Sequence, residues 1–433
     1  MRKMKYSGVE WIGEIPEDWE IIKNKYLLSN MYSGGTPTAN KPELYSDKGT
    51  PFVSIGDMSE TDYVCDTKKK LSDLGVKEKN LKILPIGTIV YSIYATIGAV
   101  SELKIQATIS QALLALSINN QVIKSWYKYN LNAMRDYISF SANGNTQFNL
   151  NAEKVWNFSF VIPPIDTQRR IADFLDDKCG KIDRYIEKQQ QIIDRLKEYK
   201  QAVITEAVTK GLNPDVPMKD SGIEWIGMIP EHWDIRRLRY LGSCVNGISK
   251  GGEFFGNGFP FVSYGDVYKN MELPKKVEGL VQTTDDEREW YSVKEGDVFF
   301  TRTSETIEEV ALTSTCMHTI ENATFAGFLI RFRPNSSLLT KEFSKFYFRS
   351  DKHRLFFVKE MNLVTRASLS QELLKRLPVL LPPIEEQQKI AQFLESKCSE
   401  IDSAIAKQTN IIEKLTEYKK SLIYEAVTGK LEV

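Results

Sequence analysis

The chain is written twice. The segment SGVEWIGEIPEDWEIIKNKYL at Ser7–Leu27 returns as SGIEWIGMIPEHWDIRRLRYL at Ser221–Leu241, 214 positions later. IPPIDTQRRIADFLDDKCGKID from Ile162 matches LPPIEEQQKIAQFLESKCSEID from Leu381, and QIIDRLKEYKQAVITEAVTKGL from Gln191 matches NIIEKLTEYKKSLIYEAVTGKL from Asn410; both pairs lie 219 positions apart. Between these blocks only islands agree, such as TPFVSIGDM at Thr50 and FPFVSYGDV at Phe259. A repeat of this kind limits the fold before any local propensity does. The frame is kept and the filling varies, with insertions and deletions confined to the divergent part, as on a scaffold that carries variable loops. Two copies are too few for a solenoid, so the chain reads as a pseudo-dimer on one polypeptide.

Each block after a Pro-Pro pair reads as one long helix. Pro163 and Pro164 can sit at its entry, Asp166 is a candidate N-cap, and Gly211 is the stop. The apolar stripe Ile171, Leu175, Ile182, Ile186, Ile193, Leu196, Val203, Ala207 advances in steps of three, four and seven. Ile390, Leu394, Ile401, Ile405, Ile412, Leu415, Leu422 and Ala426 repeat it. A helix running continuously from Ile165 to Lys210 would measure ~69 Å at ~1.5 Å per residue. So long a stripe needs a partner, and the economical one is the other copy, which predicts an antiparallel coiled coil within the chain. Cys179 and Cys398 fall at equivalent places and read as small seam residues; Gln189 and Gln408, also equivalent, fit either a register-fixing seam position or a solvated edge.

The roughly 160 residues before each helix mix short β-like runs with loops. The runs are TPFVSI, GTIVYSIYA, ALLALSI and WNFSFVI in the first half, and VFFTRT and GFLIRFRP in the second. Helical patterns cover Ile123–Ile138 and Lys341–Glu360, and GDMSETD and GDVYKNM resemble turns. The expected class is α+β, two mixed α/β domains in pseudo-twofold arrangement joined by two long helices. The boundaries are 1–163 for the first domain, 164–212 for a central helical spacer, 213–382 for the second domain and 383–433 for a C-terminal spacer.

With 42% hydrophobic residues in 433, the chain can bury several cores and shows no run of ~18 apolar residues that would span a membrane. Five scattered cysteines without a CxxC pair fit a reducing cytoplasm, and three histidines show no metal-ligand spacing. No phosphate loop GxxxxGK(S/T) is present, and neither IPPI, LPPI nor Asn213-Pro214-Asp215 makes the (D/N)PP(Y/F) run of an amino-methyltransferase. We therefore expect no catalysis by this chain and no cofactor or metal.

Binding remains, and the variable loops carry groups suited to base edges and phosphates. In the first half these are Gly34, Gly35, Thr36, Thr38 and Lys41, then Ser92, Tyr94 and Thr96, then Asn143, Asn145, Thr146 and Gln147. In the second they are Ser249 and Lys250, Arg302 and Ser304, and Thr365, Arg366 and Ser368, with Arg302 and Arg366 able to take a guanine bidentately. Each loop can equally be a solvated turn. The balance of 57 basic and 57 acidic residues runs against a nucleic-acid partner, which usually draws a basic excess.

Trp-Ile-Gly-x-Ile-Pro-x-x-Trp opening each half, Gly-Asn-Thr-Gln-Phe-Asn-Leu-Asn at Gly144–Asn151, and Pro-Pro-Ile with a Gln-rich start and a Glu-Ala-Val-Thr helix end together resemble the specificity subunits of type I restriction-modification systems. The resemblance spans the chain. It implies a non-catalytic subunit with two target recognition domains, each reading half of an asymmetric split site in double-stranded DNA. It further implies one specificity subunit per complex, docking two methyltransferase subunits and, beyond them, restriction subunits, in the cytoplasm and without a membrane. Dilution by the balanced helices and phosphate contacts shared with partners would then account for the neutral charge. LVTRASL at Leu363–Leu369 replaces the GNTQFNL stretch, so the loops of one half do not transfer directly to the other. A stand-alone DNA-binding regulator and a coiled-coil scaffold are the alternatives.

Overall fold

The computed structural model describes residues 2–58, 62–144, 150–304, 310–335, 337–360 and 367–433. The chain divides into two compact units, Met1–Gln190 with Asn410–Val433, and Gln191–Thr409. The class is α+β, with mixed helices and strands in each unit and two long helices.

In the first unit a five-stranded sheet is ordered Leu28–Ser33, Leu113–Ile118, Ile89–Ser92, Val100–Leu103, Tyr63–Val64. Beside it lies a three-stranded sheet of Thr108–Ile109, Tyr45–Val53 and Lys69–Leu71. The repeated blocks form the base: Glu20–Lys23 pairs antiparallel with Ser159–Ile162, and Asn24 fastens the join by donating from its backbone N–H to Phe158 O (2.8 Å) and from Nδ2 to Val155 O (2.8 Å). The variable stretch thus leaves and returns at one two-stranded seam. The second unit repeats the plan. Its four-stranded sheet is ordered Gly242–Asn246, Leu329–Pro334, Val298–Thr301, Thr313–Thr315, and its seam pairs Asp234–Arg237 with Pro378–Leu381.

The first long helix runs Ile165–Lys210 and the second Ile384–Val427, so the length expected from the stripe is met. Asp166 lies in the first turn and not ahead of it, because the helix already starts at Ile165. Its carboxylate still favours the positive end of the helix. Gly211 ends the helix at φ +76°, in the left-handed region where glycine is free of the Cβ penalty. Stripe residues Ile171, Leu175, Ile182 and Ile193 are buried, as are Cys179 and Cys398, while Gln189 and Gln408 are half-buried. Asp183 pairs with Lys419 (2.6 Å) in the first unit, and Lys200 with Asp402 (2.6 Å) in the second. A late residue of one helix meets an early one of the other in both cases, which is the antiparallel sense.

The repeated sequence earns its repetition in packing. Gln168 is buried, accepts from Ile123 N–H (3.0 Å) and donates to Pro163 O (3.0 Å); Gln387, its equivalent, accepts from Thr340 N–H (2.9 Å) and donates to Pro382 O (2.9 Å). One amide thereby satisfies backbone groups that a helix entry would otherwise bury unpaired. Trp19 lies against Gly429 in the first unit and Trp233 against Gly211 in the second, so the second Trp of each opening motif covers the glycine that ends a long helix.

Two local expectations differ from the structure. Lys341–Glu360 is broken into Lys341–Tyr347 and Asp351–Glu360, because Arg349 turns away to donate to Thr313 O (2.6 Å) and Tyr268 O (3.2 Å), while Ser350 Oγ bonds His353 Nδ1 (2.9 Å). The GDVYKNM turn is a six-residue helix, Tyr264–Lys269, started by a capping box between Ser263 and Asp266.

His353 is buried among Trp225, Tyr347, Phe348 and Phe356, and burial pushes its pKa down from 6.5 to about 3. The neutral ring belongs to the folded state. Its contribution is complete above the unfolded pKa and is lost as pH falls from about 6.5 toward 3. The second unit should lose about 1 kcal/mol on this account between pH 6.5 and 5.5. Urea unfolding at the two pH values, wild type against His353→Gln, checks it: the gap between the proteins should narrow on acidification, and a gap that stays constant or widens contradicts it.

Candidate nucleic-acid interface

The strands of each main sheet end together at one edge, and their loops are tied to one another by main-chain hydrogen bonds. In the first unit Gly34 N–H donates to Leu113 O (3.2 Å), Gly35 N–H to Ile109 O (3.1 Å), and Ile93 N–H to Ala112 O (2.9 Å). Thr36 Oγ1 accepts from Gln111 N–H (3.3 Å). Gly34, Gly35, Thr36, Ser92, Tyr94 and Thr96 are therefore gathered at this edge. Gly34 is required by packing: a Cβ there would stand 2.2 Å from Ser110 O, and Gly247 repeats the constraint with 2.2 Å to Ala326 O. Tyr94 projects half-exposed beside Ala95, whose φ of +54° is a left-handed conformation that a non-glycine residue adopts at a cost.

Ser92 sits beneath this edge and not on it. It is fully buried, and its hydroxyl donates to Tyr94 O (2.9 Å), shaping the loop. Thr38 is held from both N–H (3.0 Å) and Oγ1 (2.9 Å) by the Glu78 carboxylate, whose pKa is lowered chiefly by the Thr38 backbone hydrogen bond. Lys41 is exposed nearby. Lys79 and Lys82, which the sequence did not single out, flank the same loop: Lys79 lies against Gly35, and Lys82 Nζ sits 5.2 Å from the Tyr32 ring centroid. The helix Lys124–Gly144 passes this edge with Arg135 against Gly98 and carries Asn143 in its last turn, where only the backbone is described. Asn145, Thr146 and Gln147 lie outside the described residues.

The second unit builds the edge from different residues. Gly247 N–H donates to Leu329 O (3.2 Å), Gly327 N–H to Ile248 O (2.7 Å), Arg302 N–H to Phe328 O (2.9 Å), and Leu369 N–H to Arg302 O (2.7 Å). Thr303 and Ser304 pair with Ser368 and Ala367 in a short antiparallel ladder. Ser249, Arg302, Ser304 and Ser368 are thus brought together, Ser304 and Ser368 as backbone positions only. Thr365 and Arg366 lie outside the described residues. Lys250 is engaged inside the unit: Nζ bonds Glu287 Oε2 (2.7 Å), and this hydrogen bond is the first reason the Glu287 pKa is lowered. Phe328, 63% exposed at the centre of the cluster, is a residue of this unit that sequence patterning missed. Its signal was a large apolar side chain directly after Gly327 in a strand-entry turn.

What these edges offer is guanidinium, hydroxyl, amide and aromatic groups on rigidly tied loops, chemistry that can meet base edges and phosphates. Among the described residues no cluster of His, Cys, Asp and Glu could hold a metal ion, and no helix is long and apolar enough to cross a membrane.

Comparison with known proteins places this geometry. The family model for the type I restriction modification DNA specificity domain matches residues 16–198 and again 230–417. The chain is 27% identical over 454 residues to a putative type I restriction enzyme specificity subunit, MjaX, of Methanocaldococcus jannaschii, covering 98% of this chain and 96% of that protein. It is 26% identical over 296 residues to the EcoKI specificity subunit of Escherichia coli K12, covering 65% and 60% of the two chains. A chain from a structural study of complex assembly and conformational transition of the type I R-M system shares the fold, with a TM-score of 0.68 at 16% identity over 96% of this chain and 99% of that one.

Proposed function

The chain belongs to the type I restriction modification DNA specificity family, and from that premise we propose that it reads an asymmetric, two-part site in double-stranded DNA, one half site per unit. The observation that carries this reading is the contrast between frame and edge. Seam, helix entry and helix end align position for position between the copies, whereas at the edges Thr36, Ile93 and Ala112 of one unit stand where Ser249, Arg302 and Phe328 do in the other. Identical edges would suit a palindrome; unlike edges on a common frame suit two different half sites.

On this reading residues 1–163 and 213–382 act as target recognition domains, and 164–212 and 383–433 as helical spacers. Gly34, Gly35, Thr36, Thr38, Lys41, Tyr94, Thr96 and Asn143 to Gln147 serve the first half site, with Ser92 supporting from below. Ser249, Arg302, Ser304, Thr365, Arg366 and Ser368 serve the second, with Lys250 holding its loop. The duplicated frame suits a partner present twice, and two methyltransferase subunits would supply the chemistry that this chain does not carry. One specificity chain per complex, restriction subunits added outside the methyltransferases, and a cytoplasmic setting complete the proposal.

The test is co-expression with the cognate methyltransferase in a host lacking methylation, followed by long-read detection of modified bases. A new bipartite motif with two unlike halves is expected. A palindromic or continuous motif overturns the two-half-site reading, and no mark combined with specific DNA binding by the chain alone favours a stand-alone regulator.

A further inference from the structure

We propose that Phe328 is a specificity-determining residue whose ring reads the C5-methyl of a thymine in the half site of the second unit, an inference that rests on the DNA-reading role above. The turn that carries it is fixed on every side. Phe325, Ala326 and Leu329 are buried, Gly327 N–H is held by Ile248 O at 2.7 Å, Leu329 N–H by Ala326 O at 2.9 Å, and Phe328 O by Arg302 N–H at 2.9 Å. Phe328 alone of this group stands 63% exposed. A phenyl held in water on a rigid turn gains nothing within the unit, and little conformational freedom is left to lose when a ligand covers it.

Its neighbours define the ligand. Arg302 lies on one side through the main-chain bond, and Ser249 on the other, close enough that a side chain at Gly327 would collide with its hydroxyl. Residues bearing one guanidinium, one hydroxyl and one apolar ring on adjoining turns match a major-groove surface, in which a guanine offers two acceptors and a neighbouring thymine offers a methyl group. In the first unit the equivalent of Phe328 is Ala112, the acceptor of Ile93 N–H, and the exposed aromatic is Tyr94 on the adjoining loop. The two edges thus present their rings from different loops, which gives them different reach along a half site.

The experiment uses the chain in complex with its methyltransferase and a duplex carrying the methylated motif. Thymines in the second unit's half site are replaced one at a time by deoxyuridine, which lacks only the methyl. One replacement should weaken binding about three- to tenfold. Phe328→Ala should weaken binding to the unmodified duplex and make affinity indifferent to that replacement, while Phe328→Leu should retain part of the discrimination. Undiminished rejection of mismatches at the other positions of the second unit's half site shows that the unit carrying Phe328→Ala is folded. A uridine that costs Phe328→Ala as much as wild type, or uridines that are silent at every position, overturns the proposal; so does a 2-aminopurine signal showing that the ring wedges between bases while uridine is silent. A wild-type complex that selects no two-part site defeats the DNA-reading role itself and is distinguishable from all of these.

Discussion

Replacing residues 28–157 by the corresponding stretch of a relative is expected to rewrite one half of the methylated motif and leave the other half unchanged. The boundaries follow from the seam. Glu20–Lys23 and Ser159–Ile162 pair with each other, and Asn24 N–H binds Phe158 O, so a graft beginning at Leu28 and ending at Asn157 keeps both seam strands native and asks of the donor there only a main-chain carbonyl at position 155 for Asn24 Nδ2. The replaced segment includes every strand of the five-stranded sheet and every loop at its edge. What it must still match is the frame beneath: Trp126, Tyr127 and Leu131 pack into the same cluster as Ile171, Leu175 and Ala426, and Tyr127 OH donates to Asn24 Oδ1 (2.7 Å). A donor that keeps a large aromatic at those places should fold; one that does not will leave a cavity costing roughly 3–5 kcal/mol. Methylome sequencing reads the outcome directly. A change in both halves, or in neither, would sink the assignment of one half site to each unit.

The frame was legible in the sequence because it is governed by local periodicity and by identity between copies. Steps of three, four and seven define the stripe of the first long helix, and the segment from Ile165 to Lys210 is one helix in the structure. VFFT, ALLALSI and WNFSFVI each contain a strand. The edge was only partly legible, since it depends on pairings between distant residues. Lys250 looks like a free cation until Glu287, 37 positions on, closes over it. Ser92 looks like a loop hydroxyl because Ile89–Ser92 is buried along its whole length, and a strand covered on both faces has no alternation to reveal which residues point inward. The neutral charge has the same origin. Pairs such as Lys250 with Glu287 and Lys345 with Glu272 and Glu395 cancel inside a unit, so the overall balance says little about any one edge.

Asp297→Ala is expected to be the most damaging single substitution in the second unit, costing about 3–5 kcal/mol. The carboxylate is fully buried and accepts from Arg333 Nε and Nη2 (both 2.6 Å) and from Lys294 N–H (2.7 Å). Arg331, also buried, donates to Ser292 O (2.6 Å), and desolvation lowers its pKa to about 10 against the opposing pull of Asp297. Removing Asp297 leaves two guanidinium groups close together with no anion between them. The first unit meets the same turn without charge. Thr88 stands where Asp297 does, after Gly87 in place of Gly296, and donates to Pro85 O (2.7 Å); Ser117 occupies the strand position of Arg333. Because Pro85 has no N–H to offer, an aspartate there would lack the turn donor that Lys294 provides. Copying the first unit by Asp297→Thr with Arg333→Ser should therefore damage the second unit much less than Asp297→Ala alone, since it removes the carboxylate together with the guanidinium bonded to it and leaves Arg331, held by Ser292 O, as the one charge of the three. Hydrogen exchange at Val298–Thr301 isolates the effect. A loss of about 3 kcal/mol accelerates exchange through global opening roughly a hundredfold, and Ile89–Ser92 of the first unit should be unaffected. A double variant as fast as the single one would mean that packing, and not the stranded charge, sets the cost.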